Sequence, residues 1–489
     1  MGLSDYWWHM NTGRWIWQNL SIPSVDPFTY SYAKDDEIRR VLILKAYYLG
    51  QLSYYFIYSW FGIWGLLIYK ATLLTLPIWL LWRFMLYRGV PSMVGLILVS
   101  LLPLALYRFD ELRAVTFSFV GAIAVYFMIE VLLDRLWEHK PTGWLLYALP
   151  ASMLLWANLH RGFLIGWVLL CVYGLFETIK YFRKDKGLTT NAYKKMVTVF
   201  GLSLAVSVLN PNGLNAIAGN QSELQGPFMQ VIDEFFPLWK YAQFYDSWVI
   251  FYGSVVVSLF AIYYMARAAR KVEYVHWVLL AGFVYQGFSV FRFSYFTLII
   301  CLAIAAPYYK QHSQWLIDKA PRATTAVVIL CAGLLASMAL QRTALIYGPW
   351  EKAYFPSDAT FFVLQNQPPA NIFNAFEYGG YLGWKLYPKY QIFIDQRNLD
   401  YEVFEEYGVA KSGNYQQIFH KYDVNTVIFY HTQPVTQRRP PIVSKLLYDK
   451  AWHLVYLDQI ASVFVRASKN SNLPVIDKNQ ANAYLNKIQ

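Results

Sequence analysis

The chain has 489 residues, of which 57% are apolar, 19% aromatic and only 15% charged. Soluble globular chains carry roughly 25% charged residues, so the composition excludes a cytosolic enzyme, and 27 Gly and 21 Pro are too few for a collagen-like or disordered chain. Lys and Arg outnumber Asp and Glu by 42 to 30, a net charge of +12, and in so apolar a chain that excess reports cytoplasmic loops and anionic lipid rather than nucleic acid.

Residues 1–61 read as an outer loop with an interfacial helix. Residues 1–44 contain no membrane span and no signal-peptide pattern. They carry Asp5-Tyr6-Trp7-Trp8-His9, then Thr12-Gly13-Arg14-Trp15 and Asp26-Pro27-Phe28. Trp and Tyr suit a membrane interface, but that explains neither the acid nor the imidazole beside them. Asp5 and His9 are therefore candidate catalytic groups. Residues 45–60 are aromatic and mixed, as in a helix lying in the interface. Two origins are open for this tail: translocation unaided, or an upstream membrane helix not included in this sequence. The second is expected.

Residues 62–341 read as a transmembrane helical domain of about ten spans, each near the 20 apolar residues a bilayer requires. The runs are 62–83, 91–107, 112–133, 144–158, 162–179, 196–210, 247–267, 274–290, 292–309 and 323–341, the fourth and fifth readable as one broken element. Alternate loops hold most of the basic residues, including Arg83, Arg88, Arg135, Lys180 and Lys310, and should be cytoplasmic. The opposite loops should be extracytoplasmic, and everything after residue 341 with them. Cys171, Cys301 and Cys331 sit in apolar runs, so neither a disulfide framework nor a cysteine metal cluster is expected.

The outer loops concentrate the polar candidates. Arg108-Phe109-Asp110-Glu111, with Arg113 beyond, offers Asp110 and Glu111 as acid/base or metal ligands. Arg108 there is suited to phosphate through its planar fork. Asn158, His160 and Arg161 cluster within Trp156–Phe163 at the end of a span, where ionisable residues are costly and tend to be functional. Asn210-Pro211-Asn212-Gly213 opens a long loop that includes Asp233, Glu234 and Asp246. Arg292 lies between two spans with almost no loop around it, placed to meet an anion.

Residues 342–489 alternate short apolar runs with helix-like stretches, the pattern of a small α/β domain. Glu377-Tyr378-Gly379-Gly380-Tyr381-Leu382 is a tight turn without the Lys-Ser/Thr of a phosphate loop. Asp395 and Arg397 close a strand, as a site or as an internal salt bridge. The sequence shows no internal repeat, no zinc-ligand spacing, no serine elbow and no dinucleotide fingerprint.

Together these motifs resemble bacterial multi-pass membrane proteins similar to the GT-C superfamily of polyprenyl-phosphate-sugar glycosyltransferases. The family-like segments are Asp5 to Gly13 with Ile22 to Phe28, Trp156 to Phe163, Asn210 to Gly213, and Gly379–Leu382 followed by Phe393–Arg397. This chain has Leu3 where a further acid is common, Arg161 where Gly is common, and Gln396 between Asp395 and Arg397 in place of Gly. The resemblance implies a mainly α polytopic membrane fold of GT-C type with a C-terminal extracytoplasmic α/β domain, in a bacterial inner membrane and acting on the cell envelope. It implies inverting transfer of a sugar from a polyprenyl-phosphate-linked donor to a protein, lipid or glycan acceptor, with Asp5 as base. Arg108, Asn158, His160, Arg161, Arg292, Asp395 and Arg397 would bind substrate. No obligatory cofactor or metal is expected, a divalent cation staying open. Membrane lipids, the lipid-linked donor and the acceptor are the expected partners, with protein partners open and nucleic acid excluded. The alternative is a non-catalytic membrane scaffold or assembly subunit that keeps this fold.

Overall fold

A computed structural model describes residues 5–32, 38–100, 102–103, 113–184, 187–217, 232–268, 271–319, 326, 354–397, 399–431, 439–470 and 472–487. In chain order the helices are α1 Asp5–Asn19, α2 Ile38–Lys45, α3 Tyr48–Tyr87, α4 Ser92–Ser100, α5 Val115–Trp137, α6 Leu145–Leu159, α7 Leu164–Arg183 and α8 Thr190–Ser207. Then come α9 Leu238–Phe244, α10 Trp248–Ala268, α11 Tyr274–Ser289, α12 Ser294–Lys319 and α13 Ser357–Asn366. The rest is β1 Ile372–Asn374, α14 Gly379–Leu386, α15 Tyr401–Lys411, α16 Gln416–Lys421, β2 Thr426–Tyr430, α17 Pro441–Tyr448, β3 Trp452–Leu457, β4 Ala461–Arg466 and α18 Lys478–Lys487. The chain divides into two compact units, residues 1–59 with 342–489, and residues 60–341.

The helical unit is a bundle of apolar helices. Among the described residues, five helical segments are long and apolar enough to cross a membrane: Tyr48–Tyr87, Val115–Trp137, Arg161–Arg183, Trp248–Ala268 and Phe291–Lys310. Leu145–Leu159 is apolar but shorter, and the run 323–341 lies almost entirely outside the described residues. The stretch 45–60 is helical from Tyr48 and continues through a single non-helical residue, Gly62 (φ 60°), into the following span. α12 is buried without interruption from Tyr295 to Ala306, as expected of a helix apolar on every side. α10 instead exposes Val249, Tyr252, Val256, Leu259 and Tyr263 and buries Ile250, Ser254, Ser258, Ala261 and Met265. That division gives a lipid-facing stripe and a packing stripe at helical spacing.

One element occurs twice in this unit. A long helix, a shorter helix, one extended residue, a three-residue 3₁₀ turn and another long helix run from Val115 to Arg183 and again from Trp248 to Lys319. The extended residues are His160 (φ −160°, ψ 138°) and Val290 (φ −142°, ψ 118°). The turns are Arg161–Phe163 and Phe291–Phe293. Counted from these breaks, Trp156 corresponds to Gln286 and Glu130 to Phe260, so the shared backbone leaves little trace in the sequence.

At the opposite end of the bundle from these breaks, a polar network is buried between helices. Arg88 pairs with Glu130 and, at 2.7 Å, with Asp134. Glu130 accepts from the Tyr173 hydroxyl and lies 3.1 Å from His276 Nε2. His276 Nδ1 is 2.5 Å from the Tyr308 hydroxyl. The network joins the end of α3 to α5, α7, α11 and α12, and its charges are paired as buried charges must be.

The other unit is built on a sheet of order β1-β2-β4-β3, with β1 parallel to β2 and the remaining pairs antiparallel. Phe373, Phe393, Tyr407, Phe419 and Phe429 pack on it as an aromatic core. The sheet continues beyond β1: Ile392 bridges Ile372 on one side and Thr29 on the other. Ile392 N–H donates to Phe28 O (3.0 Å), and Tyr30 N–H donates to Ile392 O (3.1 Å). The N-terminal segment, separated by more than 360 residues from its neighbour, is thus an edge of the C-terminal sheet.

Candidate functional site

Asp5 opens α1 and is half-buried in its first turn, where a carboxylate is favoured by the helix dipole. The next residues, Tyr6 to Gly13, are all buried. His9 is 2% exposed; its ring lies tilted against Trp8 with centroids 3.6 Å apart, 5.2 Å from Tyr54 and 5.8 Å from Tyr47. His9 is therefore part of an aromatic core, while Asp5 stands at its edge. Gly13 has a packing reason: a Cβ there would strike the carbonyl of Gln51, so only glycine lets α1 lie against α3. α1 also packs on α14, with Trp7 5.0 Å from Tyr381. Arg14 donates to Asn11 Oδ1 (2.7 Å) and Trp384 O (3.1 Å) while lying 4.3 Å over the Trp384 ring.

The structure brings two of the sequence motifs together. Arg397 holds Asp26 through both Nη atoms, at 2.7 and 3.0 Å. It holds Asp395 through Nε at 2.9 and 2.8 Å and Nη2 at 2.6 Å. Asp26 also accepts from the Thr29 hydroxyl and from Phe28 N–H. All three charged side chains are at most 3% exposed. Burial pushes the Asp395 carboxyl up, opposed by Arg397. Burial disfavours the Arg397 charge too, but two carboxylates outweigh it and raise its pKa. The buried Tyr32 phenol is held well above its usual value by burial and by Asp395. The Gly-Gly turn completes the corner. A Cβ on Gly379 would strike Ile394 O and Asp395, and Gln396, the departure from the family-like pattern, accepts from Gly380 N–H (3.0 Å) and donates to Glu377 O (2.8 Å). Asp395 and Arg397 thus lock the N-terminal segment that follows α1 onto the C-terminal sheet.

In the helical unit, His160 Nδ1 accepts from Gly162 N–H (3.0 Å) and meets Ser118 Oγ at 2.6 Å, and Ser118 Oγ accepts from Trp156 Nε1 (2.8 Å). The imidazole caps the 3₁₀ turn that carries Arg161. Asn158 donates to Leu154 O (2.8 Å) and Leu209 O (3.0 Å). That second bond ties the Trp156–Phe163 motif to the turn at Asn210–Gly213. Arg108, Asp110 and Glu111 lie outside the described residues.

Arg292 stands on the second break and faces a turn that sequence reasoning left without a role. The 3₁₀ turn Asp233–Phe235 is held by Asp233 accepting from the Tyr245 hydroxyl and by Phe291 N–H donating to Phe236 O (2.8 Å). Three cations gather on consecutive residues there. Arg113 pairs with Glu234, the Arg292 guanidinium is 5.7 Å from the Phe235 ring, and Lys240 Nζ is 3.8 Å over Phe236. Beside the turn, Pro237, Trp239, Val284, Tyr285, Phe288 and Ser289 line an open, mostly apolar groove of about 520 Å³. A cationic turn whose neighbours in the chain line an apolar groove suits an amphiphile with an anionic head. Among the described residues, no three His, Cys, Asp or Glu side chains stand together as a metal site.

No family model matches the chain, and no curated protein matches it in sequence. Among solved structures it is similar to the archaeal oligosaccharyltransferase AglB from Archaeoglobus fulgidus in complex with an inhibitory peptide and a dolichol-phosphate. The TM-score is 0.55 at 12% identity, over 97% of this chain and 72% of that one. It is also similar to the apo form of the Archaeoglobus fulgidus oligosaccharyltransferase, with TM-score 0.54 at 13% identity, over 97% and 71%. The likeness is one of fold: the chain shares its fold with these oligosaccharyltransferases, and five of its described helical segments are long and apolar enough to cross a membrane.

Proposed function

We propose that the chain transfers a sugar from a polyprenyl-phosphate-linked donor to an acceptor on the extracytoplasmic side of the membrane. The observation that carries this reading is the cationic turn, followed directly in the chain by residues that line the apolar groove, on a fold shared with oligosaccharyltransferases. The groove takes the isoprenoid chain, and Arg292, Lys240 and Arg113 take the phosphate. Asp5 removes the proton from the acceptor hydroxyl or amide, whose heteroatom attacks the anomeric carbon. The bond from that carbon to the phosphate oxygen breaks with inversion, and the cations stabilise the negative charge on the departing lipid phosphate. His160 and Asn158 position the turn that presents Arg161 at the same end of the bundle as Arg113. The basic loops lie at the opposite end of the bundle, which supports a cytoplasmic placement for that end and an extracytoplasmic one for the cationic turn.

The test is reconstitution with a synthetic polyprenyl-phosphate sugar and cell-envelope extract as acceptor, reading release of polyprenyl phosphate. Asp5→Asn should lower transfer by about 10²- to 10⁴-fold, the usual share of a general base. Undiminished transfer would remove Asp5 from that role.

A further inference from the structure

We propose that Glu234 gates the donor-phosphate site by occupying Arg113 until the phosphate displaces it; this rests on the donor reading above. Asp233 is held by Tyr245, and the turn backbone is fixed by the bond from Phe291 N–H to Phe236 O. The Glu234 side chain is therefore the part of the turn able to move. Its pair with Arg113 is partly open to solvent, the side chains being 23% and 29% exposed, unlike the sealed Asp26–Arg397 pair. Such exposed pairs are weak, whereas the phosphodiester of the donor offers the same guanidinium two oxygens in bidentate geometry, and the released phosphate monoester a second negative charge. Among the described residues, Glu234 and Asp233 are the carboxylates of the turn that these three cations meet. With Glu234 turned away, Arg113 joins Arg292 and Lys240 around one anion, next to the groove that would hold its tail.

The gate makes opposite demands on two neighbouring residues. Binding of a short-chain polyprenyl phosphate to the full-length protein in mild detergent is measured for wild type, Glu234→Gln, Arg113→Gln and the double variant. Glu234→Gln should tighten binding by about three- to tenfold, the size of a partly exposed ion pair. Arg113→Gln should weaken it, and the double variant should match Arg113→Gln alone, because Glu234 acts only through Arg113. Glu234→Asp keeps the charge with a shorter reach and should fall between wild type and Glu234→Gln, which covers the case of a misfolded glutamine variant. Wild-type binding that Glu234→Gln leaves unchanged or weakens overturns the gate and leaves the donor reading standing. Absence of binding in both wild type and Glu234→Gln overturns both.

Discussion

Removing Arg397 should be among the most damaging single changes outside the catalytic groups. In Arg397→Met the guanidinium disappears and Asp26 and Asp395, each about 3% exposed, are left as buried carboxylates facing one another. Breaking a buried ion pair by removing one partner costs about 3–5 kcal/mol. In a unit of roughly 200 residues each kcal/mol corresponds to about 2–4 °C, so the apparent Tm of that unit should drop by about 6–20 °C. Tryptophan fluorescence on heating in detergent reads this directly. The loss should shrink on acidification. Burial raises the Asp395 carboxyl, so without Arg397 its penalty is complete above the folded-state pKa, declines as pH falls below it, and is gone below the ordinary carboxylate value of the unfolded chain. The triple variant Asp26→Asn, Asp395→Asn, Arg397→Met removes the stranded charges and should regain most of the stability, as buried ion clusters replaced whole usually do. A triple variant no more stable than Arg397→Met would refute the electrostatic account and leave side-chain packing as the cause.

Three further outcomes follow from the geometry. Arg88→Met strands Glu130 between α5, α7 and α11 and should cost about 3–5 kcal/mol in a thermal scan of the helical unit. His431 is buried with Nε2–H donating to Asp458 O, and burial lowers its pKa from 6.5. The folded state keeps it neutral, so stability is complete above pH 6.5 and falls as pH drops below it, by up to about 1.4 kcal/mol per unit; His431→Gln should flatten that slope in a pH series of melting curves. His160→Asn, whose side-chain oxygen can still accept from Gly162 N–H, should keep much of the melting temperature that His160→Ala loses, about 1 kcal/mol of cap. If transfer activity fails equally in both variants, the imidazole has a role beyond capping.

Much of the fold was legible because helix length and apolar runs are local properties. Each run from 62–83 to 292–309 contains a described helix; 144–158 and 162–179, readable as one broken element, are two helices, the second turning back so that Gly166 lies by Met153 and Tyr173 reaches Glu130. The alternation after residue 341 marked the α/β region. The pairings were not legible, because they depend on tertiary contact. Asp26 and Arg397 are 371 positions apart, and nothing local to either names the other; the motifs that carry them were visible, their union was not. Glu130 and His276 lie inside apolar runs, where a count of loop charges passes over them. Glu234 stood in the sequence as one acid of a long loop, and only its contact with Arg113 gives it a distinct chemistry. The helix–break–helix element recurs in backbone while its side chains diverge, so it left no sequence repeat.

The most direct test of the central claim is mass spectrometry of the lipids that co-purify with the protein in mild detergent, for wild type and Arg292→Ala. A polyprenyl phosphate or polyprenyl-phosphate sugar bound to wild type and depleted in Arg292→Ala is the predicted result. Ordinary phospholipid alone in both preparations would contradict it.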